Sequence, residues 1–306
     1  MSSINEDDAI LRAEIAELKK TRNAVILAHL YQRPAVQRIA DFTGDSLELS
    51  RRAMATKADV IVFCGVRFMA ETAAILNPER TVLLPEPAAG CGLAEMATAE
   101  AVLKRKAELP PDTAVVSYVN SSAEVKAISD VCCTSSNAVQ IVKSLPNKHV
   151  LFVPDRNLAS YVAEQVDKDV VAWDGHCYVH DPNITSAAIG ELQRLHPHAD
   201  VMVHPECSPT VRRHANFVGS TAQMLFYATT SDNEEFVVGT EEGFVHPLQE
   251  HNPRKHFYPT GSVCSSMHLI TLGSIRHALD RMTNAVTVPD NVREGAARAL
   301  ERMVAT

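Results

Sequence analysis

The 306-residue chain carries seven cysteines: Cys64, Cys91, Cys132, Cys133, Cys177, Cys207 and Cys264. Three of them recur at near-equal intervals. Cys177 lies 86 residues after Cys91, and Cys264 lies 87 residues after Cys177. Each falls in a short loop. The first is "PEPAAGCGLAEM" (85–96), whose glycines would let backbone approach a bulky group closely. Three converging thiolates are soft ligands, suited to zinc or to an iron–sulfur cluster. The local Cys-x2-Cys runs of ferredoxins are absent. A cubane [4Fe–4S] cluster on three cysteines leaves one iron without a protein ligand, open to a substrate oxygen or nitrogen. The chemistry would then be dehydration or elimination rather than electron transfer. The competing reading is that these are buried structural thiols.

Other polar residues recur with the cysteines. Three segments align, beginning "AVILAHLYQ", "AVVSYVNSS" and "DVMVHPECS". Each holds a polar pair two residues apart: His29 and Tyr31, Tyr118 and Asn120, His204 and Glu206. Asp41, Asp130 or Asn216 follows twelve residues after the first member. Ser46 and Ser135 follow at seventeen residues, Ser220 at sixteen. Glu206 beside His204 is the strongest general-base candidate of the set. The hydroxyls open helices, and a helix N-terminus is an anion site. Taken singly, "DSLE" (Asp45 to Glu48), "STAQ" (Ser220 to Gln223) and "TSSN" read better as helix caps. Cys64, Cys132, Cys133 and Cys207 have no recurring counterpart and read as packing residues, Cys207 being the nearest to the expected cavity.

The elements that must position these residues are strands and helices in alternation. Apolar runs at 24–29, 59–64, 81–85, 114–119, 149–154, 169–173, 200–205 and 236–240 read as buried strands. Helical patterns separate them, which predicts an α/β fold with parallel sheets covered on both faces. The chain divides into three related α/β/α repeats, 1–91, 92–177 and 178–264, followed by a helical tail, 265–306. Each repeat reads as helix, strand, helix, strand, helix, strand, cysteine loop. Ligands of such units gather beyond the carboxyl ends of the strands. Packing about a pseudo-threefold axis would bring the three cysteines to one point. Composition agrees with a globular chain, at 46% hydrophobic and 22% charged. A net charge of −8 argues against a nucleic-acid partner. The polar, acidic N-terminus lacks a signal-peptide pattern, and no apolar run approaches the ~20 residues of a membrane span. A cytoplasmic location and free thiols are expected.

Longer motifs then stand out. "AHLYQ", "GDSLELS", "FCGVRFMAET", "SYVNSSAEVKAISDVCCTSSNA", "PDRNLA", "WDGHCYVH", "HPEC" and "GSTAQM" occur in order from about residue 24 to "CSSMHLITL". Together they resemble the bacterial quinolinate synthase family. The resemblance implies three α/β domains around a pseudo-threefold axis and a [4Fe–4S] cofactor on Cys91, Cys177 and Cys264. It implies condensation of iminoaspartate with dihydroxyacetone phosphate to quinolinate, a step of NAD biosynthesis, with loss of phosphate and water. By the same resemblance, Tyr31, His204 and Glu206 form the acid–base group. His29, Ser46, Tyr118, Asn120, Ser135, Ser220 and Thr221 would bind carboxylates and phosphate, with His180 close to the cluster. Transient contact with L-aspartate oxidase, source of the unstable imine, is a candidate partnership. The chain departs from the family at Ser265, where proline is common, and at Ile270, where asparagine is common. Ile270 would alter hydrogen bonding near the third cysteine, while Leu30 is a milder variation. Two other readings stand beside this one: a diphthamide-synthesis-type iron–sulfur radical enzyme, and a non-enzymatic iron–sulfur sensor.

Overall fold

The apolar runs become the central strands of three separate sheets in a computed structural model, which describes residues 6–306. The first five residues of the first expected repeat lie outside the described residues. The first sheet contains β1 (Ala24–His29), β2 (Phe42–Gly44), β3 (Val60–Cys64) and β4 (Thr81–Leu83), in the order β2-β1-β3-β4. The second contains β5 (Ala114–Tyr118), β6 (Val131–Cys133), β7 (His149–Val153) and β8 (Asp169–Ala172), in the order β6-β5-β7-β8. The third contains β9 (Asp200–Val203), β10 (Phe217–Val218), β11 (Glu235–Gly239) and β12 (His256–Pro259), in the order β10-β9-β11-β12. All their pairings are parallel. The expected α/β class is therefore observed as one strand order repeated three times. Strands buried on both faces explain the continuous apolar runs: β3 and β5 are buried at every position.

The sequence reading assigned three strands to each repeat, and the structure has four. The added strands are β2, β6 and β10, each at a sheet edge. They are two or three residues long, too short to carry a periodic pattern. A recurring side chain holds each of them. Asp41 Oδ2 accepts the Ile26 N–H at 2.8 Å, and the Asp41 N–H returns a bond to the Ile26 carbonyl. Asp130 makes the same pair with Val115, and Asn216 with Val201. These three residues are thus strand clamps.

The chain forms two compact units. One joins the stretch ending at Cys91 to Ser265–Asp290, and the other joins Gly92–Cys264 to Asn291–Thr306. In the first, Ile26, Val62 and Leu83 of the sheet pack with Ile15 of helix Glu6–Thr21 and with Ile275 and Leu279 of helix Leu272–Arg281. In the second, Val115 and Leu151 anchor one core, and Val201 and Val237 anchor another. Among the described residues no helix is long and apolar enough to cross a membrane.

In each sheet the chain leaves its first strand for one edge, then returns to pair on the other side. The carboxyl ends of β1 and β3, of β5 and β7, and of β9 and β11 are therefore switch points, where diverging loops leave a crevice. His29, Tyr118 and His204 stand at or just beyond the ends of the first strands. Each cysteine loop follows the last strand of its sheet. Replacing Asp130 by Ala would leave the buried Val115 N–H unpaired, and a loss of about 1–3 kcal/mol is expected. Asp130→Asn should fall within about 0.5 kcal/mol of the parent, because Asn216 does the same work in the third sheet. Urea unfolding measures both, and equal stability of the Ala and Asn variants would contradict the clamp.

Candidate functional site

A cap residue follows β3, β7 and β11: Val66, Asp155 and Glu241 respectively. The next amide in each case donates to a carbonyl in the cysteine loop. Arg67 N–H bonds to Ala89, Arg156 N–H to Gly175 and Glu242 N–H to Ser262, each at 2.8 Å. Cys91, Cys177 and Cys264 come two residues after those carbonyls. The three loops are therefore equivalent in how they are pinned. Gly175 is required by this approach, since a Cβ there would lie 2.3 Å from the Pro154 carbonyl oxygen. At Gly92 a Cβ would meet nothing within 4 Å, so packing against protein does not demand that glycine.

The thiols divide accordingly. Cys91, Cys177 and Cys264 are partly exposed, whereas Cys64, Cys132, Cys133 and Cys207 are buried. Burial pushes the Cys132 thiol up to about 12 and raises Cys64, Cys133 and Cys207 as well. Those four are poor ligands, because a ligating cysteine must shed its proton.

Around Cys177 the second compact unit builds a dense polar site. Glu206 and His180 are nearly fully buried, and one donor atom from each of Cys177, His180 and Glu206 lies within 4.8 Å of the others. His180 Nδ1 is 2.6 Å from Glu206 Oε2, and its Nε2 is 2.9 Å from the Thr240 hydroxyl. His204 stacks on His180, with ring centroids 4.5 Å apart. The Glu206 N–H donates to His204 Nδ1 at 3.3 Å, which puts the proton of a neutral imidazole on Nε2. That Nε2 lies 3.2 Å from Ser135 Oγ. In the first compact unit His29 repeats the device, taking the Tyr31 N–H on Nδ1 at 3.1 Å. Burial opposes the Glu206 charge, but His180, His204 and a hydrogen bond from Tyr118 outweigh it and hold the carboxyl at about 2. Asp155 goes the other way: burial first, then the Glu206 charge, push it well above the usual carboxylate range.

Tyr118, Ser135, His180, His204, Glu206 and Cys177 are thus brought together in the second unit, with Asn120 two residues beyond Tyr118. Asn120 Oδ1 is buried and has no hydrogen-bond partner among the described residues. Ser220 caps helix Thr221–Thr230 through Gln223, in the capping box its sequence suggested, and also accepts the Ser136 hydroxyl at 2.8 Å. Thr221 is the first residue of that helix. Asp45 caps helix Ser46–Ala55 with Glu48, leaving Ser46 in the first turn. "TSSN" is not a cap: Asn137 Oδ1 turns back to accept the Thr134 N–H and hydroxyl. Tyr31, His29, Ser46 and Cys91 belong to the first unit, and Cys264 to the second. Ile270 is no part of a polar shell. It is fully buried in the apolar core of the first unit, and Ser265 is exposed. Sequence reasoning missed Thr240, Ser136, Asp155 and Glu241. Asp155 falls within "PDRNLA", and its place two residues past a strand end is the available signal.

Three repeated small parallel sheets, each ending in a pinned cysteine loop, define a three-repeat α/β protein with its site at the switch points. Residues 13–305 match the model of a family described as quinolinate synthetase A protein. A quinolinate synthase of Desulforudis audaxviator is 53% identical over 298 residues, covering 96% of this chain and 98% of that protein. Quinolinate synthase 2 of Methanosarcina acetivorans is 49% identical over 300 residues, covering 97% and 96%. A quinolinate synthase of Clostridium kluyveri is 50% identical over 301 residues, covering 97% and 99%. The chain belongs to the quinolinate synthetase A family and is an enzyme of that family.

Tyr118→Phe deletes a hydroxyl that favours ionised Glu206. The carboxyl should therefore titrate higher. Infrared titration of the labelled Glu206 carboxylate measures this, and an unmoved midpoint would contradict the bond.

Proposed function

We propose that the chain catalyses the quinolinate synthase reaction of NAD biosynthesis. In it iminoaspartate and dihydroxyacetone phosphate condense to quinolinate, and phosphate and water leave. The observation that carries this is the buried Glu206 carboxylate, with Oε2 2.6 Å from His180 Nδ1 and 3.6 Å from His204 Nδ1, beside the Cys177 thiol. Ring formation here needs repeated proton removal from carbon and proton delivery to departing oxygen, which is general acid–base work.

We propose further that Cys91, Cys177 and Cys264 hold a [4Fe–4S] cluster. They are soft donors in equivalently pinned loops, and they are the cysteines whose thiols are not sealed in apolar surroundings. When bound, such a cluster supplies a Lewis-acidic iron that lacks a protein ligand.

The chain's own residues do the rest. Glu206, held near 2, is a weak base alone, and a proton reaching it is shared with the His180 ring 2.6 Å away. The pair acts as a unit, as carboxylate–imidazole pairs do in hydrolases. His204 presents Nε2–H towards Ser135 and can donate to a substrate oxygen in its place. Tyr31, paired with His29 by an edge-on ring contact at 4.5 Å, serves as the acid–base group of the first unit. Asn120 offers its Oδ1 to a substrate N–H or O–H. The first-turn hydroxyls Ser46 and Thr221, and Ser220 at its cap, suit carboxylates and phosphate, since amides at helix N-termini favour anions. The imine is short-lived in water, so handover from L-aspartate oxidase belongs to the same proposal.

Glu206→Gln keeps shape and removes the charge. Turnover should fall by about 10²–10⁴-fold, with iron and sulfide content unchanged. Anaerobic purification, iron and sulfide analysis, and assay of quinolinate from the two substrates test this. Undiminished turnover removes Glu206 from the mechanism, and a colourless protein without product refutes the cluster.

A further inference from the structure

Two buried carboxylates reach the cysteine loops, and neither belongs to the acid–base group above. Asp155 and Glu241 are fully buried and occupy equivalent places, two residues past the end of β7 and of β11. Each bridges two backbone amides with its two oxygens. Asp155 Oδ1 accepts the Leu158 N–H at 2.7 Å, and Oδ2 accepts the Cys177 N–H at 3.2 Å. Glu241 Oε2 accepts the Gly243 N–H at 2.7 Å, and Oε1 accepts the Cys264 N–H at 3.2 Å. In the first repeat the same position is Val66, which has no side-chain acceptor.

We propose that Asp155 and Glu241 are positioning residues that aim the Cys177 and Cys264 thiolates at their metal. The inference rests on the cluster assignment of those cysteines. A helix cap needs one side-chain oxygen, which Ser, Thr or Asn supplies without burying an acid. Burying a carboxyl is costly unless its oxygens are hydrogen-bonded. Here the second oxygen goes to the cysteine amide in both repeats. Cysteine has a single side-chain torsion, so a fixed backbone frame leaves Sγ only a few staggered positions. The Cys177 frame is held at its other end too, where its carbonyl accepts the His180 and Asp181 N–H groups at 3.0 and 2.8 Å. Ser262, two residues before Cys264, donates to the Val179 carbonyl at 2.6 Å and ties the two loops together.

Two variants test the proposal. Asp155→Ser keeps a cap for helix Arg156–Ala163 but has no second oxygen for Cys177. Glu241→Gln is near-isosteric and offers one acceptor for two amides. Each is reconstituted anaerobically beside the wild-type chain. An iron chelator is added, and the decay of the thiolate-to-iron charge-transfer absorption is followed. Thermal unfolding of the metal-free proteins is recorded in parallel. Both variants should release iron about tenfold to a hundredfold faster than wild type, the usual cost of losing an outer-shell partner. The unfolding midpoint of metal-free Asp155→Ser should stay near the wild-type value. Release at the wild-type rate in both variants overturns the proposal. Faster release that tracks an equal loss of metal-free stability also overturns it, since the carboxylates would then be structural only. Failure of the wild-type chain itself to bind iron and sulfide instead overturns the cluster assignment beneath it.

Discussion

The backbone N–H that follows Val66, Asp155 or Glu241 donates to a carbonyl two residues before a cysteine. Through that bond each sheet fixes its own cysteine loop at the switch point, where diverging chains already leave a crevice. The rest of the site depends on it. The second loop, once pinned, carries His180 three residues beyond Cys177, back against Glu206 and Thr240. The strands supply the complementary parts from their carboxyl ends, with Tyr118 from β5 and His204 and Glu206 beyond β9. Precision comes from placing chemistry on loops held by a rigid sheet rather than on free loops.

Electrostatics follows from this crowding. Two buried acids lie close enough to act on each other, and their surroundings separate them. Glu206 faces two imidazoles and a phenol and stays ionised, while Asp155 faces that negative charge and is raised. The thiols show the same division by burial. Four are buried and favoured in the protonated form, and three are partly exposed.

The fold class was legible in the sequence because doubly buried parallel strands leave continuous apolar runs, and eight of the twelve strands came from such runs. The short edge strands β2, β6 and β10 were not, since two or three residues carry no periodicity, and β12 (His256–Pro259) has no continuous apolar run. Asp41, Asp130 and Asn216 were visible as a recurrence, but only the structure assigns them to clamping Ile26, Val115 and Val201. Asp155 and Glu241 escaped notice for the opposite reason. They differ in type, and their counterpart Val66 is apolar, so no residue pattern marks the position. Ile270 looked like a change beside the third cysteine, yet its side chain turns into the first unit's core. Sequence proximity to a cysteine does not place a side chain beside its thiol.

The central claim is that three equivalent loops serve one cluster, and the most direct measurement is iron and sulfide per chain across single Cys→Ser variants. Cys91→Ser, Cys177→Ser and Cys264→Ser should each lose the full [4Fe–4S] complement after anaerobic purification. Cys64→Ser, Cys132→Ser, Cys133→Ser and Cys207→Ser should keep it wherever they fold. An intact complement in any of the first three, or its loss in a well-folded member of the second set, would contradict the account.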